Sequence, residues 1–224
     1  MLTNQINPEE IINKTFAEFV PERIALLSSF AAEEQVILDM VCRLEKKIRV
    51  ITLDTGRLFQ ETHDTMQASV DKYGISIEVF SPDADELKQL IEKKGPNSFY
   101  ESVENRKECC YIRKVKPAQK AFQSVDAVFT GLRKEQAETR EEISEREFDE
   151  KNNVVKLNLL YNFTTEMLWQ YIHENKVPYN KLHDKSFPSI GCMPCTRAVK
   201  EGENIRAGRW WWESENHKEC GIHR

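Results

Sequence analysis

Residues 48–56 read Ile48-Arg49-Val50-Ile51-Thr52-Leu53-Asp54-Thr55-Gly56, a β-branched run that a polar turn closes. The run predicts a buried strand, because branched side chains pack well on a pleated surface and turn residues end it. A second strand is predicted at Arg23 to Ser29, leading into a helix. That helix is indicated by apolar positions with the 3.6-residue period, at Val36, Ile37, Met40, Val41 and Leu44.

The same alternation continues along the chain. A polar helix is predicted at about 57–72, a strand at 75–80, a helix that begins near Asp83, a strand at 127–131 and a last helix that begins near Thr164. Strands that alternate with helices of this length predict an α/β fold, in which helices flank a parallel twisted sheet. The highly charged stretch 134–151 is expected to be a solvated loop or an exposed helix.

The composition limits the class of protein. Of 224 residues, 40% are hydrophobic and 31% are charged, as in an ordinary soluble domain, and the net charge of −5 argues against an extended nucleic-acid surface. No apolar run is long enough to span a bilayer, and the N-terminal residues lack the pattern of a signal peptide. We therefore expect a cytoplasmic protein without a nucleic-acid or membrane partner.

Four of the six cysteines form two pairs. Cys109 and Cys110 are adjacent, and Cys192 and Cys195 form a C-x-x-C. In a reducing compartment such clusters indicate metal binding or redox chemistry, and four thiolates suit either tetrahedral zinc or an iron–sulfur cluster. A dithiol redox pair is a further alternative for the C-x-x-C. Cys42 lies among apolar helix residues and is expected to be a buried free thiol.

The C-terminal segment carries two further signals. Trp210, Trp211 and Trp212 cannot all face one core, so at least one is expected at a ligand, partner or subunit surface. Cys220 stands near Lys218 and His223, and nearby cations lower the pKa of a thiol. Cys220 is therefore a candidate nucleophile.

Seven segments stand in a characteristic order. They are Ser28-Ser29-Phe30-Ala31-Ala32-Glu33, Leu53-Asp54-Thr55-Gly56-Arg57-Leu58, Cys109-Cys110 with Arg113-Lys114, Thr130-Gly131-Leu132-Arg133, Pro188-Ser189-Ile190-Gly191-Cys192-Met193-Pro194-Cys195-Thr196, Arg206-Ala207-Gly208-Arg209-Trp210-Trp211-Trp212-Glu213 and Lys218-Glu219-Cys220-Gly221-Ile222-His223. Together they resemble the assimilatory adenylyl-sulfate reductases, which are sisters of the phosphoadenylyl-sulfate reductases. The resemblance implies an ATP-pyrophosphatase-like (adenine nucleotide alpha hydrolase-like) sheet and a C-terminal tail that carries the nucleophile.

The resemblance also implies a domain plan and a reaction. One reductase domain would span 1–224, with a nucleotide-binding core at about 20–178 and a cluster-binding loop and catalytic tail at about 179–224. Cys220 would attack the sulfonyl sulfur of adenosine 5′-phosphosulfate and expel AMP, and thioredoxin or glutaredoxin, as a separate protein, would then release sulfite from the S-sulfocysteine. A [4Fe–4S] cluster would be held by four cysteines, Cys109, Cys110, Cys192 and Cys195. A homo-oligomer is expected.

Substrate contacts follow from the same resemblance. The loop with Ser29 would cradle phosphate, and Leu53 and Gly131 would contact adenosine through their main chains. The phosphosulfate would be surrounded by basic residues, with Arg133 also in the substrate-binding set: Arg106, Lys114, Arg206, Arg209 and His223. Ala31 replaces the family's usual glycine and Glu34 its aspartate, so we expect a less permissive loop, because alanine adopts positive φ only at a cost.

Three alternative functions differ in what they require. A reductase of the 3′-phosphorylated nucleotide, or of both nucleotides, would use the same site, although relatives with that preference typically lack the four cluster cysteines. A nucleotide ligase or adenylyltransferase would need a Ser-Gly-Gly type loop, which this sequence does not have. A non-enzymatic iron–sulfur redox sensor would be indifferent to the loss of Cys220.

Overall fold

A six-stranded sheet forms the centre of the computed structural model, which describes residues 7–136 and 143–214. The strands are β1 Ile24–Leu27, β2 Arg49–Leu53, β3 Ile77–Phe80, β4 Ala127–Thr130, β5 Arg146–Asp149 and β6 Val154–Asn158. Their order is β3-β2-β1-β4-β6-β5; β5 pairs antiparallel with β6, and the other pairs are parallel. The predicted α/β fold with a mostly parallel sheet is confirmed.

Helices cover both faces of the sheet. They are α1 Pro8–Glu18, α2 Ala32–Arg43, α3 Gln60–Tyr73, α4 Ala84–Lys94, α5 Val103–Cys110, α6 Lys116–Phe122 and α7 Thr165–Glu174. Alternate residues of β1 face opposite cores: Ile24 and Leu26 pack with Ile37 of α2, whereas Ala25 packs with Phe122 of α6. No helix in the described ranges combines the length and the apolar character that crossing a bilayer requires.

The edge of the sheet departs from the sequence prediction. Residues Arg146–Asp149, within the stretch interpreted as a loop or exposed helix, form β5, so that interpretation is wrong there. The strand Val154–Asn158 was not predicted at all. Side chains of β5 alternate between exposed and half-buried, and Phe148 is 59% exposed. A charged edge strand of this kind lacks the apolar run by which the central strands are recognised.

The segment after α7 has little regular structure, and main-chain hydrogen bonds connect its parts. Thr196 and Arg209 form an isolated antiparallel bridge, and the amide of Trp210 donates to the carbonyl of Cys195 over 3.1 Å. The amide of Met193 donates to the carbonyl of Arg57 over 2.8 Å. The C-x-x-C and the tryptophan segment are therefore both fixed next to the loop that follows β2.

Candidate functional site

The carboxyl ends of β1, β2 and β4 open into one pocket, which we call the strand-end pocket. Its sheet side is formed by residues that end or follow these strands: Ser28, Ser29, Thr52, Leu53, Thr130, Gly131, Leu132 and Arg133. Its outer side is formed by the irregular C-terminal segment: Pro188, Ser189, Ile190, Gly191, Ile205, Arg206 and Arg209. The pocket encloses about 1320 Å³ out to its open mouth. Parallel α/β sheets generally bind ligands at this position.

The loop after β1 turns sharply at Phe30. This buried residue has φ +58, and its amide donates to the hydroxyl of Ser28 over 3.1 Å. Ala31 has φ −77 and is extended. The expected penalty for alanine is therefore not found, because the left-handed conformation falls on Phe30 instead. The turn leads directly into α2, so that the first amides of this helix face the loop.

Two neighbouring carboxylates of α2 lie beside the strand-end pocket. Glu33 accepts a hydrogen bond from Nε of Arg133 over 2.9 Å, in a largely buried ion pair. Glu34 accepts a hydrogen bond from the hydroxyl of Ser29 over 3.1 Å. Burial, together with repulsion from Glu33, raises the pKa of Glu34 to about 7. Gly131 leaves the space for this carboxyl, since a Cβ there would lie 2.5 Å from Oε1 of Glu34.

The four paired cysteines surround a second cavity, which we call the cysteine cavity. Its lining combines them with basic and aromatic residues: Cys109, Cys110, Cys192, Cys195, Arg57, Phe99, Arg106, Arg113, Lys114, Arg209 and Trp210. All four are free thiols. The thiol of Cys192 donates to the hydroxyl of Thr55 over 3.2 Å. Burial and the neighbouring cysteines raise the pKa of Cys195 to about 12.

A π-helical segment, Tyr111–Val115, joins α5 to α6 at this cavity. The amide of Lys116 donates to the carbonyl of Tyr111, five residues earlier, so this turn holds one residue more than an α-helical turn. Cys109 and Cys110 end α5 and both border the cavity, because helical neighbours are only about 100° apart. Arg113 and Lys114 follow within the wide turn, and Nη1 of Arg113 donates to the carbonyl of Thr55 over 2.5 Å.

Several buried donors around the cysteine cavity lack an acceptor within residues 7–136 and 143–214: Arg113 Nε, Arg209 Nε, Trp210 Nε1 and Trp212 Nε1. Buried donors normally have a partner, so their grouping here points to an acceptor-rich anionic group. In the same ranges no three His, Cys, Asp or Glu side chains are arranged to hold a single metal ion.

The two cavities share a wall. Lys114, Arg209 and Trp210 line both the strand-end pocket and the cysteine cavity. The guanidinium of Arg209 lies over the ring of Trp210 at 4.7 Å and donates to the carbonyl of Ile190 over 3.1 Å. Basic side chains of this wall can therefore act on a ligand in either cavity.

Most of the predicted site residues are in these two places. The strand-end pocket contains seven of the predicted substrate residues: Ser29, Leu53, Lys114, Gly131, Arg133, Arg206 and Arg209. Arg106 instead lines the cysteine cavity, where it pairs with Glu213. Cys220 and His223 lie outside the described residues. The roles of all these residues remain predictions.

The structure adds residues to the set. Thr55 contacts both Cys192 and Arg113, and its place directly after a predicted strand could have suggested it. No sequence pattern indicated the ion pair of Glu213, because its partner Arg106 is 107 residues away in sequence. Trp211 is 39% exposed whereas Trp210 is 2% exposed, which confirms that the three tryptophans do not share one core.

Known proteins resemble this chain over most of its length. The family model for the phosphoadenosine phosphosulfate reductase domain matches residues 23–198. A curated relative from Allochromatium vinosum, named adenosine 5′-phosphosulfate reductase, is 42% identical over 203 residues, which are 91% of this chain and 79% of the relative.

Solved structures share the fold of this chain. The crystal structure of phosphoadenylyl-sulfate reductase from Candida auris, a phosphate complex, has a TM-score of 0.74 and 30% identity, covering 87% of this chain and 91% of its own. FMN adenylyltransferase from Candida glabrata, at 17% identity and a TM-score of 0.61, shares the fold over 97% of this chain and 74% of its own. The family match and the identity with curated relatives agree, and the chain belongs to the phosphoadenosine phosphosulfate reductase domain family.

Proposed function

We propose that this protein is an oxidoreductase that reduces adenosine 5′-phosphosulfate to sulfite and AMP in sulfate assimilation, with thioredoxin or glutaredoxin as the electron donor. The observation that carries the proposal is the wall of Lys114, Arg209 and Trp210 between the strand-end pocket and the cysteine cavity. It joins a nucleotide-type pocket to a cluster of thiols. The relative from Allochromatium vinosum, with the same activity in its name, supports this substrate.

The substrate would lie across the strand ends. Main-chain groups of Leu53 and Gly131 would contact the adenosine, and the phosphosulfate would point toward Lys114, Arg206 and Arg209, which line the outer part of the pocket. A thiolate approaching this anion meets like-charge repulsion, and the leaving phosphate gains negative charge. Cations held in place before the reaction reduce both costs.

The reaction would proceed through Cys220. Its thiolate sulfur forms a bond to the sulfonyl sulfur, while the S–O bond to phosphate breaks and AMP leaves with the electron pair. A thioredoxin thiolate then attacks the sulfur of Cys220, so that sulfite leaves with the electron pair of the S–S bond. The second thioredoxin thiol resolves the mixed disulfide, which restores the Cys220 thiol and leaves thioredoxin oxidised.

Cys109, Cys110, Cys192 and Cys195 would hold a [4Fe–4S] cluster. Its sulfides would accept hydrogen bonds from the buried donors that lack an acceptor in the described part of the chain, including Arg113 Nε and Trp210 Nε1. When bound, the cluster would supply structural organisation of the site and a local charge near Lys114. The protein's own basic residues would position the substrate and stabilise its negative charge.

The test is a sulfite-release assay on anaerobically purified protein with thioredoxin. Wild type should release sulfite from adenosine 5′-phosphosulfate, and mass spectrometry without reductant should detect an S-sulfonate on Cys220. Cys220→Ser should be inactive, whereas Cys42→Ser, which removes a half-buried thiol on α2, should keep full activity. An active Cys220→Ser enzyme would refute the mechanism, and no sulfite from wild type would refute the function.

A second candidate is reduction of the 3′-phosphorylated nucleotide. It is favoured by the structural match to the phosphoadenylyl-sulfate reductase of Candida auris. Assaying both nucleotides under the same conditions separates the two: the ratio of the kcat/KM values gives the preference directly. Cluster binding with no turnover of either nucleotide would instead indicate a redox sensor.

A further inference from the structure

Two guanidinium groups lie over the ring of Trp210, a residue that is 2% exposed. The Cζ atoms of Arg106 and Arg209 are each 4.7 Å from the centroid of this ring. The negative face of an aromatic ring attracts a cation, and the attraction grows where water is excluded. One buried ring therefore supports a basic residue from α5 and another from the C-terminal segment.

The two arginines differ in how their charge is balanced. Nε and Nη2 of Arg106 donate to the carboxylate of Glu213 over 2.8 and 2.6 Å, in an almost fully buried pair. Arg209 is 8% exposed and has no carboxylate partner among the described residues. Its Nη1 donates instead to the carbonyl of Ile190 over 3.1 Å and to the hydroxyl of Ser189 over 3.4 Å. A buried charge without a counter-ion is costly, so the neutral groups around Arg209 have to stabilise it.

The backbone at Trp210 is bent into the left-handed region, with φ +42. A bulky residue rarely adopts this conformation, and such strain persists only where the surroundings hold it. Here the amide of Trp210 donates to the carbonyl of Cys195 over 3.1 Å, and its carbonyl accepts from the amide of Glu213 over 2.8 Å. Arg209 precedes it in the bridge to Thr196. Consecutive side chains of an extended segment point to opposite faces, and the bend interrupts that alternation where the two neighbours stack.

The stacked pair stands in the wall shared by the two cavities. Arg209 and Trp210 both line the strand-end pocket as well as the cysteine cavity. An aromatic face stabilises a cation without neutralising it and without occupying its N–H groups, whereas a carboxylate does both. The guanidinium of Arg209 thus keeps its charge, and its buried Nε has no acceptor among the described residues.

We propose that Trp210 is a positioning residue, which holds the guanidinium of Arg209 without a counter-ion so that it binds the anionic 5′ group of the nucleotide in the strand-end pocket. This inference rests on the proposed function, which supplies the nucleotide. Arg209 is the residue that touches the substrate, and Trp210 acts through it.

The test compares the affinities for AMP and for adenosine, measured by calorimetry under anaerobic conditions. The two ligands differ only in the phosphate, so the ratio of the dissociation constant of adenosine to that of AMP reports the cation at the phosphate. Trp210→Leu should lower this ratio about tenfold, because the aromatic face is lost. Trp210→Phe should keep it within about threefold of wild type, since a ring remains and Phe30 shows that this chain holds phenylalanine at positive φ. The matched control, Trp169→Leu, removes a ring that stacks on His173 of α7 and should leave the ratio unchanged.

A double-mutant cycle shows whether Trp210 acts through Arg209. Arg209→Met should itself lower the ratio at least about tenfold, and adding Trp210→Leu to it should lower the ratio no further. Trifluorotryptophan incorporated at residue 210 guards against a folding defect, since it keeps the shape of the ring and weakens its negative face. It should lower the ratio about threefold and leave the affinity for adenosine unchanged.

The proposal is rejected if Trp210→Leu or the fluorinated protein keeps the wild-type ratio, or if the affinities for AMP and adenosine fall in parallel. It is also rejected if Trp210→Leu lowers the ratio further in the Arg209→Met background, or if wild type does not prefer AMP to adenosine. Wild type that shows the expected ratio but releases no sulfite from adenosine 5′-phosphosulfate would refute the proposed function and leave the role of Trp210 in nucleotide binding in place.

Discussion

The guanidinium of Arg209 rests on the backbone of Gly191, so close that a Cβ at residue 191 would overlap its Nη2 and Cζ atoms. The same guanidinium donates to the carbonyl of Ile190 and stands in the wall shared by both cavities. The absence of a side chain at residue 191 therefore leaves the space that the guanidinium of Arg209 occupies between the two cavities.

Replacing Gly191 by alanine should move Arg209 and lower kcat/KM for adenosine 5′-phosphosulfate by about 10- to 100-fold, as expected when a positioned cation is lost from a site. Steady-state kinetics measures the loss. The matched control is Gly202→Ala, where no atom lies within 4 Å of the added Cβ but φ is +82. It should reduce thermal stability and leave the kinetics unchanged; equal kinetic losses in both variants would contradict this role of Gly191.

Removing one ligand of the proposed cluster should remove the cluster. Cys195→Ser is expected to reduce iron and acid-labile sulfide of anaerobically purified protein to a small fraction of the wild-type content, because hydroxyl oxygen is a poor ligand for iron–sulfur clusters. Cys42→Ser, made and purified in the same way, should retain the full content. Equal iron in the two variants would show that Cys195 is not a ligand.

Substrate binding should depend on pH through Glu34. Burial and the neighbouring Glu33 raise the pKa of Glu34 to about 7, so its carboxyl is mostly neutral at pH 6 and mostly ionised at pH 8. The ionised form repels an anionic nucleotide in the strand-end pocket, and KM for adenosine 5′-phosphosulfate should therefore rise several-fold over this range. Glu34→Gln should flatten the profile, whereas Glu166→Gln, on the exposed side of α7, should not. An unchanged profile in Glu34→Gln would disprove the assignment.

Breaking the buried ion pair of Arg133 and Glu33 should lower stability more than breaking the exposed pair of Arg146 and Glu18. The side chains of Arg133 and Glu33 are 4% and 10% exposed, and Arg133→Met leaves the carboxylate of Glu33 buried without its cation. We expect the free energy of unfolding to fall by about 3–5 kcal/mol. Arg146→Met breaks a pair with Glu18 whose side chains are 48% and 47% exposed, and should cause a much smaller loss because water screens this pair. Urea unfolding measures both; equal losses would contradict the difference in burial.

The strands β1, β2 and β4 were predictable because burial on both faces imposes an apolar run, as in β2, where Val50 and Ile51 face opposite cores. The strand β5 could not be predicted, because Arg146 and Glu147 belong to an edge strand, and an edge strand needs no apolar run. Its pairing with β6 is visible only in three dimensions.

The grouping of the four paired cysteines was also predictable, since it follows from their residue type and their spacing in the sequence. The partner of Arg106 could not be predicted: the resemblance gives this residue a role at the phosphosulfate, and only the structure shows its pairing with Glu213. Contacts between residues 107 positions apart leave no local pattern in a single sequence. The strain at Phe30 was likewise hidden, because phenylalanine is not a residue associated with positive φ.

The π-helical segment Tyr111–Val115 keeps the faces of α5 and α6 aligned, although the chain between them holds a surplus residue. The wide turn absorbs that residue, so the side chains before and after it keep nearly the orientations of one continuous α-helix. Deleting one position within the turn would let it close into regular α geometry, while Cys109 before it and Phe122 after it would keep their faces. The side chains inside the turn would move instead, so the surplus residue determines how Lys114 faces the wall between the two cavities.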